Sequence, residues 1–507
     1  MSSTSVNNKR IAKNTVVLYL RSLIVMLVSL YTSRVILHAL GVEDYGLYNV
    51  IGGVVSLFAF LRTSMTKSTQ RFLNVEMSIE GGKLKDTFRV SFSIHVLMAI
   101  IALILAETVG LWFLNSHIQI PEGRDVAANV VYQSTVISLV FTILSVPFNA
   151  AIIAHEKMGY FAVVSIIDSI LKLVICYLIM VEGIDRLILY GWLMMMINIT
   201  NFLMYMIYCF LKHTETSIKL LYDKILCRKM LSYTTWTVVG SSAVVAANQG
   251  NNILVNMFHS VTANAAMGIA SQVNAAVVSL TTNFQTAFNP QITKSYAAHD
   301  YEYLKNLVYS TSKLSYYLLF IVSLPLCFNM DWCLSMWLKE IPQYASIFSI
   351  LILCNAIINA LSMPFNYAVL STSSIKSFQI TTSLVFLCDL IFVYFFFCLG
   401  ASAPFALIVK VAIMFVMLGV RLAYANKVVE CINIRTYAKD ALFPIIIVTS
   451  ICVGLGFLLY SSFFDFLSVI IRLLILICIS TISIYCFGLK KNEKTIIIKI
   501  INKIIRK

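Results

Sequence analysis

Apolar runs of about twenty residues, broken by short polar turns, follow one another along nearly the whole chain. A helix rises 1.5 Å per residue, so about twenty residues cross the roughly 30 Å hydrocarbon core of a bilayer. The pattern predicts fourteen spanning helices, over 14–40, 46–73, 87–114, 127–154, 161–181, 187–211, 232–258, 263–293, 307–330, 345–370, 377–398, 404–425, 441–461 and 465–488. Several carry a polar stripe at 100° per residue. Asn14, Arg21 and Thr32 share a face of span 1, and Arg62, Thr66 and Thr69 a face of span 2. Span 7 aligns Ser241, Asn248, Asn252 and Asn256; span 8 aligns Gln272, Ser279, Asn283 and Thr286; span 10 aligns Asn355, Asn359, Ser362 and Asn366. Such stripes either hydrogen-bond helix to helix or face water. Two basic stripes early in the chain and three neutral ones later favour a hydrophilic cleft between two lobes.

Composition agrees with the spans. The 507 residues are 59% hydrophobic and 12% charged, with mean hydropathy +0.86. Soluble domains are near 25% charged. The fold class expected is an all-α polytopic membrane protein. The opening MSSTSVNNKRIAKN leads into a run of spanning length with no small-residue cleavage site, so the first span is expected to be retained.

Charge then sets orientation. With both termini placed in the cytoplasm, the outer loops hold only Arg124, Arg186 and Lys339 of the 38 Lys and Arg residues, and they are acidic, Glu43 and Asp44 among them. That is the positive-inside bias. The net charge of +15 is thus mostly topology and calls for no nucleic-acid partner.

Nine basic residues remain inside the spans: Arg21, Arg34, Arg62, Arg89, Lys172, Lys313, Lys410, Arg421 and Arg472. Three acids accompany them, Glu107, Asp168 and Asp389. A charge at the bilayer centre costs roughly 3 kcal/mol even on the mild insertion scale, so deep charges face a bundle interior or water. Arg89 and Arg421, close to cytoplasmic ends, are expected to snorkel. Arg34 and Arg472 lie a turn or two from the outer surface, where snorkelling and a cavity role compete. Arg21, Arg62, Lys172, Lys313 and Lys410 are deeper candidates for a cationic cavity. Asp168 and Lys172, four apart, either neutralise each other or leave Asp168 as a coupling-ion site. Tyr309, Lys313 and Tyr317 share a face of span 9 that suits either packing or a sugar beside a cation.

Other chemistry is sparse. The twelve cysteines are scattered singly with no Cys-x-x-Cys pair, and neither a metal site nor a cofactor is expected. No phosphate-cradling glycine loop or nucleophile elbow occurs, and the outer loops are short, so no enzyme is expected. Gly46 and Gly268 each open a long span after a short outer turn, a trace of duplication. It suggests an N-terminal lobe over 1–230, a C-terminal lobe over 231–427, and spans 13 and 14 with a tail over 428–507. Pro147, Pro290, Pro325 and Pro364 allow kinks. The tail KKNEKTIIIKIINKIIRK is patterned as a basic amphipathic helix lying on the membrane, removable without loss of the fold.

The stretch RVILHALGVEDYGLYNVIGG resembles the start of the Wzx-type polysaccharide flippases of the multidrug/oligosaccharidyl-lipid/polysaccharide exporter superfamily. The elements that carry this are Arg34, Leu40, Gly41, Tyr45, Gly46 and Tyr48. The resemblance implies two six-helix lobes plus two C-terminal helices in the bacterial cytoplasmic membrane. It also implies export of an undecaprenyl-pyrophosphate-linked oligosaccharide by alternating access, for O-antigen or capsule, beside a polysaccharide polymerase and glycosyltransferases. Cations suit a diphosphate. The neutral residues Asn248, Asn252, Gln272, Asn283, Asn355 and Asn359 suit sugar hydroxyls. A lipid II flippase is the near alternative. A cation-coupled multidrug exporter of the same superfamily is disfavoured by the basic first lobe.

Overall fold

The computed structural model describes residues 3–494 except 57–58, 80, 118–119, 121–122, 181–182, 184, 260, 339–340, 461–467 and 491–492; the side chains of some helical residues, Arg34 among them, are also outside the described set. Among the described residues all regular structure is helical. We number the long helices α1 Ser3–Ser56, α2 Ala59–Ser78, α3 Leu84–Leu105, α4 Asp125–Ala154, α5 Met158–Leu178, α6 Arg186–Lys212 and α7 Lys224–Phe258. They continue with α8 Val261–Ala297, α9 Tyr301–Phe328, α10 Ala345–Ser371, α11 Lys376–Cys398, α12 Phe405–Val428, α13 Phe443–Leu459 and α14 Val469–Ser483. The described residues of each predicted span fall largely on these helices and the helical turns that continue them. Span 1 and the start of span 2 lie on α1, which is broken at Gly41, where φ of 78° suits only a residue without a Cβ. Ten helices of the described residues are long and apolar enough to cross a membrane, so the chain is a multi-pass membrane protein. On α1 the described apolar stretch, Asn14–Ser29, is shorter than a span.

The chain forms two compact units, Met1–Ser241 and Ser242–Lys507, dividing within α7. In the first, α4 runs along α6, α2 and α3. It is apolar on all sides, which a surface helix cannot be, and its Phe148 meets Phe88, Phe92 and Phe202 edge-on. A π-helical turn over Ala106–Gly110 interrupts the hydrogen-bond ladder after α3. The Tyr132 hydroxyl donates to the Ala106 carbonyl at 2.7 Å, as backbone at membrane depth requires. In the second unit α10 is central, packed on α8, α9 and α12 around Phe348, Leu353 and Ala360.

Loop-end residues start the helices. Asp185 accepts from the Leu187 and Ile188 amides, Asp300 from Tyr303, and Asn433 from Arg435 and Thr436. In the first unit Arg124 forms ion pairs with both Asp44 and Asp185, while Arg186 donates to the Ala39 carbonyl at 3.0 Å. The acidic turn after Gly41 is thereby held to the loops before α4 and α6.

Candidate functional site

In the first unit the deep charges lie on α1, α2 and α5, beside Asn201 and Tyr205 of α6. Lys172 Nζ lies 2.7 Å from Asp168, and the other Asp168 oxygen accepts from Asn201 Nδ2 at 2.7 Å. Asp168 is thus doubly satisfied. The Arg21 guanidinium lies over the Phe161 ring, 4.8 Å from its centroid, and its Nε is buried with no hydrogen-bond partner. Tyr205 stands within electrostatic reach of Arg21, Arg62 and Asp168 and hydrogen-bonds Asn149. Arg62 is exposed at an apolar cleft beside Met65, Met98, Ile101 and Ile143. Among the described residues neither Arg21 nor Arg62 forms an ion pair. With Lys172 balanced by Asp168, the cluster retains two positive charges in an otherwise apolar bundle. It can hold an anion or the negative end of a dipole.

The stripes around these cations are partly consumed by structure. Asn14 is buried and donates to the Glu156 carbonyl at 3.2 Å, Thr32 bonds the Ser29 carbonyl, and Thr69 bonds Ser91 at 2.9 Å. The Thr66 hydroxyl turns back to the Arg62 carbonyl. Arg34 lies outside the described side chains, so the structure gives it no contacts.

The second unit treats its cations differently. Lys410 donates to Asn248 Oδ1 at 2.6 Å, and Asn355 Nδ2 donates to the Lys410 carbonyl at 3.1 Å, so three stripe and cavity candidates from α7, α10 and α12 meet. Next to them Asn251 donates to the buried carboxylate of Asp389 at 2.7 Å. Asn252 pairs with Gln249 one turn back. Gln272 is exposed, and Asn283 is buried within α8.

Two readings are corrected. Arg421 does not snorkel. It is 6% exposed and donates to Asn359 Oδ1 at 2.8 Å and to Ser362 Oγ at 2.6 Å, because its side chain turns inward to α10. Lys313 presents no free cation. It is 1% exposed, and its Nζ lies 2.7 Å from Glu493, just beyond the last span. The same face of α9 is filled by the chain itself: the Tyr309 hydroxyl donates to the Asn433 carbonyl at 2.9 Å, and Tyr317 packs against Gly488. The packing alternative for Tyr309, Lys313 and Tyr317 therefore holds. Of the amphipathic tail, residues 495–507 lie outside the described set. Sequence reasoning misses Asn201, Tyr205, Asn251 and Arg421 as partners, and only their location inside apolar spans signals them.

No protein-family model matches the chain, and no curated protein sequence matches it. Solved structures do. A MATE transporter in its bent conformation superposes with a TM-score of 0.73 at 12% identity, covering 86% of this chain and 99% of that one. A Vibrio cholerae MATE transporter gives 0.70 at 13% identity, covering 84% and 98%. A transporter of the MOP superfamily from Pyrococcus furiosus, described as having a binding pocket of reverse polarity that suggests a different function, gives 0.70 at 11% identity, covering 85% and 99%. At these identities the shared property is architecture: the chain has the fold of the MATE transporters of the MOP superfamily.

Proposed function

We propose that this protein is a flippase that exports an undecaprenyl-pyrophosphate-linked oligosaccharide across the bacterial cytoplasmic membrane by alternating access, with both termini in the cytoplasm. The observation that carries the reading is the pair Arg21 and Arg62, cations within predicted spans that form no ion pair among the described residues and lie near Tyr205, with Asp168, in electrostatic reach of Arg21, already held by Lys172 and Asn201. A site that keeps positive charge in an apolar bundle favours a diphosphate and repels an organic cation. The Pyrococcus furiosus neighbour, with its reverse-polarity pocket, is a precedent within this fold for a departure of that kind. The neutral groups Asn248, Asn252, Gln272, Asn283, Asn355 and Asn359 supply donors and acceptors for glycan hydroxyls. A lipid II flippase uses the same diphosphate chemistry on a different head group.

A second reading is a cation-coupled multidrug exporter. It is favoured by the MATE neighbours themselves and by the in-span carboxylates Asp168 and Asp389, each held by an asparagine. Proteoliposomes decide between them. They are loaded on one leaflet with undecaprenyl-pyrophosphate-linked oligosaccharide, lipid II, or a fluorescent organic cation under a proton or sodium gradient. Translocation of the oligosaccharide lipid, abolished by Arg21→Ala or Arg62→Ala, is the expected result. Gradient-driven movement of the dye with no lipid translocation overturns the flippase reading.

A further inference from the structure

Histidines at two helix ends meet a glutamate on the side of the first unit that the charge bias assigns to the cytoplasm. His155 follows the last residue of α4, His213 follows α6, and Glu215 sits on the turn after it. Glu215 bonds His155 Nε2 and lies 3.9 Å from His213 Nδ1. The imidazoles stack at a centroid distance of 3.9 Å and an interplanar angle of 19°. His213 is 7% exposed, and its Nε2 is buried without a partner. One ligand atom from each of the three residues lies within 4.8 Å of the others.

We propose that His155, His213 and Glu215 form a binding site for a divalent transition metal, zinc foremost, that ties the ends of α4 and α6. Two imidazoles and one carboxylate are a zinc ligand set that leaves a fourth position to water. Bonds near 2.1 Å in a tetrahedron need ligand atoms about 3.4 Å apart, so the three groups close by roughly 1 Å and one ring turns out of the stack. Both histidines stand at helix C-termini, whose carbonyls favour positive charge. A polar cleft lined by Lys83, Lys85, Asp86 and Thr214 opens beside Glu215 and offers an entry path. Lys157, Lys83 and Lys85 oppose a dication there, and Asp86 offsets part of that charge.

The test uses the full-length protein in detergent, stripped of metal and titrated with zinc chloride by calorimetry and with cobalt chloride by visible absorption. One ion per chain is expected, with a four-coordinate cobalt spectrum lacking thiolate charge-transfer bands. His155→Ala and Glu215→Gln should each weaken zinc binding at least tenfold, and Lys83→Ala with Lys85→Ala should tighten it. The wild-type cobalt spectrum tests the ligand set even where a variant fails to fold. Thiolate bands, no stoichiometric binding, or binding untouched by both ligand substitutions overturns the site.

Discussion

The two units of this protein hold similar numbers of in-span cations and dispose of them in opposite ways. In the second, Lys313 has Glu493, Arg421 has Asn359 and Ser362, and Lys410 has Asn248 with Asp389 nearby. In the first, Lys172 is answered by Asp168, while Arg21 rests on an aromatic ring and Arg62 borders a cleft. A charge count along the spans therefore overstates the charge of any cavity. What counts is the charge left after each cation has met its partner. By that measure the second unit's Lys313, Lys410 and Arg421 join helices to one another, while Arg21 and Arg62 of the first form no ion pair among the described residues.

The largest expected effect lies in the second unit. Glu493→Gln, or removal of residues 492–507, leaves the Lys313 ammonium buried and unpaired, which costs about 3 kcal/mol. Thermal melts of purified protein should fall accordingly, and Lys313→Met combined with Glu493→Gln should recover most of the loss. A tail deletion that melts like wild type breaks the contrast.

Next in size, Arg21→Gln and Arg62→Gln should each reduce lipid-linked oligosaccharide translocation by on the order of tenfold or more, the loss of one charge-assisted phosphate contact, with melting little changed. Equal damage to stability and transport would erase the distinction between the units. A smaller effect is expected at Asp168 and Lys172. The pair is partly exposed, so either single neutralisation should cost roughly 0.5 kcal/mol, and Asp168→Asn with Lys172→Gln should be nearly neutral. Transport lost in the double variant but kept in Lys172→Gln would instead assign Asp168 to ion coupling.

The smallest effect is a pH dependence. Burial alone would raise the Asp185 carboxyl, but the backbone amides of Ile188 and Leu187 and the Arg124 guanidinium hold it below the usual carboxylate range. A lowered folded-state value means that its stabilisation is full at neutral pH and is lost as pH falls through that value, below about 4. Asp185→Asn should flatten the acid side of the melting profile and leave the neutral side nearly parallel.

Much of the helical framework was legible in sequence because spans are local: twenty apolar residues declare themselves without reference to the rest of the chain. Gly41 likewise marked a break that needs only its own backbone. The partners were not legible, because they are long-range. Asn251 and Asp389, Arg421 and Asn359, and Lys313 and Glu493 are far apart along the chain, and no periodicity within one helix records which neighbour a face will meet. Arg421 shows the physical reason most clearly. Its distance from a loop suggests an escape to water, but direction decides, and its side chain points toward α10. The histidines that meet at Glu215 carried no spacing signal either, since each is set by where a different helix stops.

The bond between Lys313 and Glu493 also has a bearing on biosynthesis. α9 enters the membrane long before residue 493 is made, so the growing chain carries a lysine whose partner has yet to be synthesised. Until then the ammonium must stay near water or lipid headgroups, and the second unit cannot close around it. A chain cut between Gly488 and residue 493 therefore keeps the sequence of every span but leaves this one charge unanswered.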